Sequence, residues 1–125
     1  MKRIIATENA PKAVAAYSQA VEVNGMLFIS GQVPLNPATG KMVEGGIEEQ
    51  TLQVMKNIGA ILEAAGYGYP DVVKSTCFLS DIANFKAMND VYAQFYIENR
   101  PARSAFAVKD LPLGALVEIE TIAMK

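Results

Sequence analysis

The sequence predicts an α+β sandwich in which two helices cover one face of a mixed sheet. Two strand-like runs, Tyr17 to Val23 and Met26 to Ser30, flank Asn24-Gly25, a pair typical of a two-residue hairpin. Two later segments repeat apolar residues at three- and four-residue spacing, which predicts amphipathic helices. No repeat or linker-like stretch divides the 125 residues, so residues 1–125 are predicted to form one domain.

The first half of the chain reads as three strands followed by a helix. Arg3 to Thr7 is predicted as a short strand that precedes the hairpin. The run Met26 to Ser30 is apolar on both faces, so it is predicted to be a central strand. A proline-containing loop leads to a helix from about Ile47 to Ala65, with Gly66 as its stop. The residues predicted to form its buried face are Leu52, Met55, Ile58, Ile61, Leu62 and Ala65.

The second half reads as strand, helix and two strands. Val72 to Leu79 is predicted as a strand, and Ser80-Asp81 begins an apolar helix that extends through Tyr96 and cannot pass Pro101. Arg103 to Val108 and Leu116 to Met124 complete the order β-β-β-α-β-α-β-β. No element remains to cover the second face of the sheet, so self-association is the simplest cover.

The composition limits the classes of partner. Apolar residues make up 51% of the chain and charged residues 19%, a balance that leaves apolar surface beyond the core. The net charge is −2, the isoelectric point is about 5.1, and the basic residues form no run, which disfavours nucleic acid and anionic membranes as partners. The N-terminal stretch lacks a signal-peptide core and the chain has a single cysteine, so a cytoplasmic location is expected.

The absence of histidine limits the chemistry. Ser-His-Asp and Cys-His catalysis and histidine-based zinc sites are excluded, and no metal site is predicted. Catalysis therefore has to use carboxylates, Arg, Lys, Tyr, hydroxyls or backbone groups. Cys77 lies among strand-forming apolar residues, where a thiol is most often core filling rather than a nucleophile. Lys74 on the same strand suits an ion pair at a sheet edge better than a Schiff base.

Arg103, in the run Pro-Ala-Arg-Ser-Ala-Phe, is the strongest candidate for a binding residue. It begins a strand just after Pro101, and its neighbours on the same face, Ala105 and Ala107, are small. Its planar guanidinium matches a carboxylate with two parallel hydrogen bonds. A surface arginine or a structural ion pair remains the alternative.

Three further parts of the sequence carry groups suited to a site. Glu118 and Glu120 share one face of the last strand, where mutual repulsion can raise one pKa toward that of a general base; a solvated strand face explains the same alternation. Ser30-Gly31 offers a hydroxyl and unhindered backbone N–H groups, or is a plain turn. Tyr17 is a phenolic donor or a half-buried aromatic.

Asn89 lies on the second helix, and its position allows a polar contact or simple exposure to solvent.

With these residues identified, the chain resembles the RidA family, also called the YjgF family, along essentially its whole length. The resemblance rests on five tracts in the right order: IATENAPKAVAAYSQAVEV, MLFISGQVPLNPATG, EAAGYGYPDVVKSTCFLSDIANFKAMNDVY, PARSAF and LPLGALVEIE. It implies a chorismate-mutase-like fold that assembles as a homotrimer with a barrel-like core and ligand sites between subunits. It also implies hydrolysis of 2-iminopropanoate and 2-iminobutanoate to 2-keto acids and ammonium, without a cofactor, which protects pyridoxal-phosphate enzymes from reactive imines.

The resemblance also assigns roles to residues. Arg103 matches the family arginine that binds the substrate carboxylate, and Glu118 matches the glutamate that orients or activates water. The residues matching those that line the pocket are Tyr17, Ser30, Gly31, Asn89 and Ala105, the last at a position that is Cys in many members. Arg100 departs from the family pattern, which commonly has Phe there. The alternative function is a regulatory or protein-interaction module that senses small carboxylates; an endoribonuclease is disfavoured by the acidic isoelectric point.

Overall fold

The computed structural model describes all 125 residues, Met1 to Lys125. The strands are β1 (Arg3–Ile5), β2 (Ala20–Val23), β3 (Met26–Gln32), β4 (Leu35–Asn36), β5 (Lys41–Met42), β6 (Val72–Leu79), β7 (Ala102–Ala107) and β8 (Val117–Met124). The α-helices are α1 (Ile47–Ala65) and α2 (Phe85–Tyr92). No helix has both the length and the apolar character needed to cross a bilayer.

Six strands form one sheet in the order β1-β2-β3-β8-β6-β7, and β4 and β5 form a separate short hairpin. All neighbours in the large sheet are antiparallel except β6 and β7, which are parallel. A parallel pair needs a crossover connection, and α2 supplies it. The predicted α+β class with a mixed sheet and two helices is confirmed.

One core lies between the helices and one face of the sheet. Val54, Ile58 and Ile61 of α1 are buried in the same cluster as Leu27 of β3 and Ile119 of β8. The helix ends where predicted, because Gly66 adopts the left-handed conformation (φ 85°) in which its N–H donates to the carbonyl of Glu63. Leu52 is exposed rather than buried, so its predicted place on the buried face was wrong; Thr51 and Val54 lie there instead.

Several predicted element bounds also needed correction. The second strand begins at Ala20 rather than Tyr17, and β3 continues through a bulge to Gln32. The second α-helix ends at Tyr92 rather than Tyr96, because Gln94 and Phe95 form tighter i to i−3 hydrogen bonds as the chain turns. This turn places the Tyr96 ring against Tyr92, with centroids 4.8 Å apart.

The second face of the sheet is uncovered in the single chain, as predicted. Phe28 of β3 is 40% exposed and Phe106 of β7 is 45% exposed on this face. Ile4 and Met124 are also exposed there. Several exposed apolar side chains on one face of a sheet are typical of an association surface.

Candidate ligand-binding and catalytic site

Arg103 lies on β7, the edge strand of the sheet, and its side chain points to the face covered by helices. Its Nη1 donates a hydrogen bond of 2.6 Å to Oδ1 of Asn89. The central guanidinium carbon lies 4.9 Å from the ring centroid of Tyr92 and 5.4 Å from that of Phe85. Two aromatic faces and one amide oxygen therefore hold a half-buried cation without neutralising it.

The three residues that hold Arg103 come from a single stripe of α2. Phe85, Asn89 and Tyr92 are spaced by four and three positions, so they project from the same side of the helix. Phe85 and Tyr92 lie within the predicted apolar helix, but their contact with Arg103 was not predicted. The available signal was the i, i+4, i+7 spacing that aligns both rings with Asn89.

Arg103 has no acidic partner within the chain. Its bond to Asn89 is its only side-chain hydrogen bond, and the two salt bridges of the chain join Arg3 to Glu22 and Lys86 to Asp90. The guanidinium carries five N–H donors in a planar fork, so most of its donors are available to a ligand. The alternative of a structural ion pair is therefore not what the structure contains, and Asn89 makes a polar contact rather than facing solvent alone.

Glu118 lies on β8 and points to the uncovered face of the sheet, opposite Phe78 in register. Its carboxylate approaches Gly31, which sits in the β-bulge between Ile29 and Gln32. A Cβ atom on residue 31 would collide with this carboxylate. Gly31 is thus required for a close approach rather than only for a turn.

The surroundings of Glu118 favour a base. Partial burial raises the pKa of its carboxyl group, and the negative charge of Glu120 raises it further. The direction of this shift is the one predicted from the paired acids. A raised pKa makes the ionised carboxylate a stronger proton acceptor when the pH is above it.

Tyr17 and Ser30 lie in the segment next to Gly31. The Ser30 hydroxyl donates a 2.6 Å hydrogen bond to the carbonyl of Ser18, which fixes the chain that carries the half-exposed Tyr17. Ser30 therefore positions Tyr17 and has only its oxygen lone pairs left to accept a bond from a ligand.

Gln19 organises the same segment and was missed from the sequence. Its buried side chain donates to the carbonyls of Thr7, Ala10 and Pro11, and its Oε1 accepts from the Thr7 N–H. Nothing in the sequence pattern distinguishes this glutamine from a surface one. An open pocket of about 630 Å³ is lined by this segment and by β1, with Ile5, Ala10 and Tyr17 among its lining residues.

Three other sequence interpretations were tested by the structure. Cys77 is fully buried, and burial raises the pKa of its thiol to about 11, which confirms its place in the core. Lys74 lies on an interior strand and forms no salt bridge, so the predicted ion pair at a sheet edge was wrong. Ala105 faces the helices opposite Cys77 and packs against the core.

No cluster of Cys, Asp and Glu side chains is arranged to hold a metal ion.

A single chain does not bring all the candidate residues together. Arg103 is aligned with Ser75 of β6, whereas Glu118 is aligned with Phe78, three residues further along the same strand. An odd separation places side chains on opposite faces, and two strand spacings plus this offset separate the backbones by roughly 14 Å. The residues form two groups: Arg103 with Asn89 on one face, and Glu118 with Gly31 on the other.

The fold and the two groups define a class of protein. It is a small α+β domain with an arginine fixed by side-chain contacts on one face of the sheet and a glutamate of raised pKa on the other. The profile of the family described as Endoribonuclease L-PSP matches residues 7–125. The chain is 53% identical over 125 residues to a RutC family protein of Pyrococcus horikoshii, covering 100% of this chain and 99% of that protein. It is 49% identical over 125 residues to the 2-iminobutanoate/2-iminopropanoate deaminase of Capra hircus, covering 100% and 91% of the two chains.

Solved structures agree with these relatives. A crystal structure from Thermotoga maritima superposes with a TM-score of 0.98 at 50% identity and covers 100% of this chain and 98% of that chain. The structure of E. coli TdcF with bound serine has a TM-score of 0.94 at 37% identity and covers 98% of each chain. The chain therefore belongs to the RidA family, also called the YjgF family.

Proposed function

We propose that this protein hydrolyses small 2-imino acids, such as 2-iminopropanoate and 2-iminobutanoate, to 2-keto acids and ammonium. The observation that carries the proposal is the half-buried guanidinium of Arg103, which is held by Asn89, Phe85 and Tyr92 and has no acidic partner in the chain. A ligand carboxylate is the group that this cation suits best. The mammalian relatives named 2-iminobutanoate/2-iminopropanoate deaminase supply the reaction class.

The proposed reaction needs positioning and one base. Arg103 binds the substrate carboxylate and fixes the adjacent imine carbon. The substrate reacts as the protonated imine. Glu118 takes a proton from a water molecule as the water oxygen adds to the imine carbon, and the C=N electron pair moves to the nitrogen, which becomes a neutral amine. The Glu118 carboxyl then gives its proton to this amine, and the C–N bond breaks as the C=O bond forms. The remaining hydroxyl proton passes to the departing ammonia, so the products are a 2-keto acid and ammonium.

The site is proposed to be completed by a second copy of the chain, within a homotrimer. Arg103 and Glu118 face opposite sides of the sheet, so neither can reach a substrate held by the other in the same chain. Arg103 stands on an edge strand, while Glu118 stands on the uncovered face that carries Phe28 and Phe106. Association through this face buries apolar surface and brings the edge of one chain to the glutamate of the next.

The decisive experiment replaces Arg103. Imine is generated in the cuvette by threonine dehydratase, and release of the 2-keto acid is followed with and without this protein. Arg103→Ala is expected to lower kcat/KM by roughly 10²-fold, because at least one charge-assisted hydrogen bond pair is lost. Lys86→Ala removes the same charge from an exposed position on α2 and should retain full activity. Undiminished keto-acid release by Arg103→Ala would show that the assignment is wrong.

A mixing experiment tests the shared site. Arg103→Ala and Glu118→Gln chains, each inactive alone, are unfolded together and refolded as a mixture. If the site combines the arginine of one chain with the glutamate of another, mixed assemblies contain some intact sites and activity returns. Activity that stays absent in mixtures shown to have exchanged chains would place both residues in the same subunit.

A second candidate is a sensor of small carboxylates that does not turn over imines. The bound serine in E. coli TdcF favours it, because serine carries a carboxylate but no imine carbon. Calorimetry with 2-oxobutanoate and the imine assay, run on one preparation, separate the two. Tight binding with no rate above that of buffer would favour the sensor.

Cleavage of RNA, the activity in the family description, is not supported by the charge distribution. The chain has a net charge of −2 and no basic run, whereas RNA-binding surfaces concentrate Lys and Arg.

A further inference from the structure

Three buried hydroxyl groups lie between the sheet and the C-terminal end of α2, next to the Tyr92 ring that contacts Arg103. The side-chain oxygens of Ser75, Tyr92 and Tyr96 are buried and have no hydrogen-bond partner of good geometry. The residues are 0%, 4% and 3% exposed. Buried hydroxyls without partners are uncommon in folded proteins, so three on neighbouring residues point to a specific role.

Tyr92 and Tyr96 lie side by side against the sheet face that carries Ser75. The rings of Tyr92 and Tyr96 are 4.8 Å apart, centroid to centroid. Burial raises the pKa of both phenols, and the nearby Ser75 hydroxyl lowers both pKa values in part. Ser75 of β6 thus acts on both phenols.

Ser75 is also the register partner of Arg103. Residue 75 of β6 pairs with residue 103 of β7. Ser75 is therefore next to the backbone of Arg103 and also acts on the Tyr92 phenol. Tyr92 is the last residue of α2, where a helix frays most easily. The centroid of the Tyr92 ring lies 4.9 Å from the guanidinium carbon of Arg103. Contacts of the Tyr92 hydroxyl at the other end of the ring would keep the ring in this position.

We infer that the Ser75, Tyr92 and Tyr96 hydroxyls form a positioning cluster that fixes the Tyr92 ring and, through it, the guanidinium of Arg103. The inference rests on the proposed function in one respect only, that Arg103 binds the substrate carboxylate. The hydroxyls do not touch the substrate. They hold the Tyr92 ring against which Arg103 packs, so that the guanidinium group is already oriented before the ligand binds.

The test replaces the anchor and leaves the ring. Tyr92→Phe keeps both the packing and the aromatic face but removes the hydroxyl. It is expected to raise the Kd for 2-oxobutanoate, measured by calorimetry, by about three- to tenfold, the loss associated with one net hydrogen bond. KM for the imine should rise by the same factor, with a smaller change in kcat. Tyr67→Phe is the matched control, because its hydroxyl bonds to Glu22, away from Arg103, and both constants should stay unchanged.

A readout without ligand separates this inference from the proposed function. The Nε–H signal of Arg103 in nitrogen-15 NMR reports how well the guanidinium is ordered in the free protein. In Tyr92→Phe this signal should shift and broaden, whether or not the protein turns over imines. If wild type neither binds 2-oxobutanoate nor hydrolyses imine, but the signal still responds to Tyr92→Phe, the proposed function fails and the positioning cluster stands.

A second variant covers the case in which Tyr92→Phe folds poorly. Ser75→Ala leaves both tyrosine rings in place and removes the hydroxyl that acts on both phenols. It should change Kd and the Arg103 signal in the same direction. Folded variants at either position that keep a wild-type Kd and a wild-type Arg103 signal would overturn the inference, because a merely structural hydroxyl alters stability alone.

Discussion

The two faces of the sheet hold their candidate functional residues in different ways. On the covered face, Arg103 lies against the rings of Phe85 and Tyr92 and bonds to Asn89, so its geometry is set by packed side chains. On the uncovered face, Glu118 lies over Gly31, and its surroundings change its pKa rather than fix it with hydrogen bonds. The proposed binding group is thus held by packed side chains, and the proposed base lies on the uncovered face of the sheet.

This difference follows from what each group needs. A cation that binds a carboxylate must stay charged and correctly oriented, and aromatic faces with a neutral amide achieve both without supplying a competing anion. A general base needs a raised pKa, which partial loss of water and a neighbouring negative charge provide.

Replacing the base should have the largest effect on the uncovered side. Glu118→Gln is expected to lower kcat by about 10²- to 10⁴-fold, the usual contribution of a general base. Binding of 2-oxobutanoate should be retained, because the groups that hold Arg103 lie on the other face. Single-turnover kinetics and calorimetry on the same variant measure both quantities. A parallel loss of 2-oxobutanoate binding would show that Glu118 also contributes to binding and not to proton transfer alone.

The raised pKa of Glu118 also predicts opposite effects on activity and stability. In wild type, activity should fall as the pH drops through this pKa, at a higher pH than for an ordinary glutamate, because the carboxylate becomes protonated. The folded state holds the Glu118 proton more tightly than the unfolded state, so the stabilisation is present at low pH and is lost as the pH rises through the folded pKa. Glu118→Gln should therefore raise the melting temperature at neutral pH but not at acidic pH, and calorimetric scans at both pH values check this.

Displacing the base should have a smaller effect than removing it. Gly31→Ala places a methyl group where the Glu118 carboxylate lies, and the flexible end of that side chain can move aside without unfolding the bulge. A shift of about 1 Å in a catalytic group costs on the order of 10²-fold in rate. Gly46→Ala is the control, since the nearest atom to its added methyl is 4.0 Å away. Equal kinetics for the two variants would show that the contact with Gly31 does not position Glu118.

Cys77→Ala should have the smallest functional effect. The thiol is fully buried, and its pKa is raised to about 11, so it should not react with thiol reagents in the native protein at neutral pH. The substitution is expected to cost about 1 kcal/mol of stability through lost packing and to leave kcat/KM unchanged. Denaturant unfolding and the imine assay measure the two. A large loss of activity would assign the thiol a role in holding the Arg103 side.

The sequence predicted the elements whose patterns are local. The helix from Ile47 to Ala65 and the strand from Val72 to Leu79 have the predicted bounds, because caps, glycine stops and apolar periods act over a few residues. The end of the second helix at Tyr92 was not predicted, since it depends on where Tyr96 packs. The hub formed by Gln19 was missed for the same reason: its partners are up to twelve residues away.

The same division applies to the site. By itself the sequence determined which groups are available for chemistry: Arg103, the pair Glu118 and Glu120, and no histidine. Only the tertiary structure decided that Arg103 and Glu118 face opposite sides of one sheet, because side-chain direction depends on the register of β6 with β7 and β8. It also decided that the arginine packs against aromatic rings. That contact joins a strand to a helix, and the sequence pattern predicts which face of the helix is buried but not which strand residue it meets.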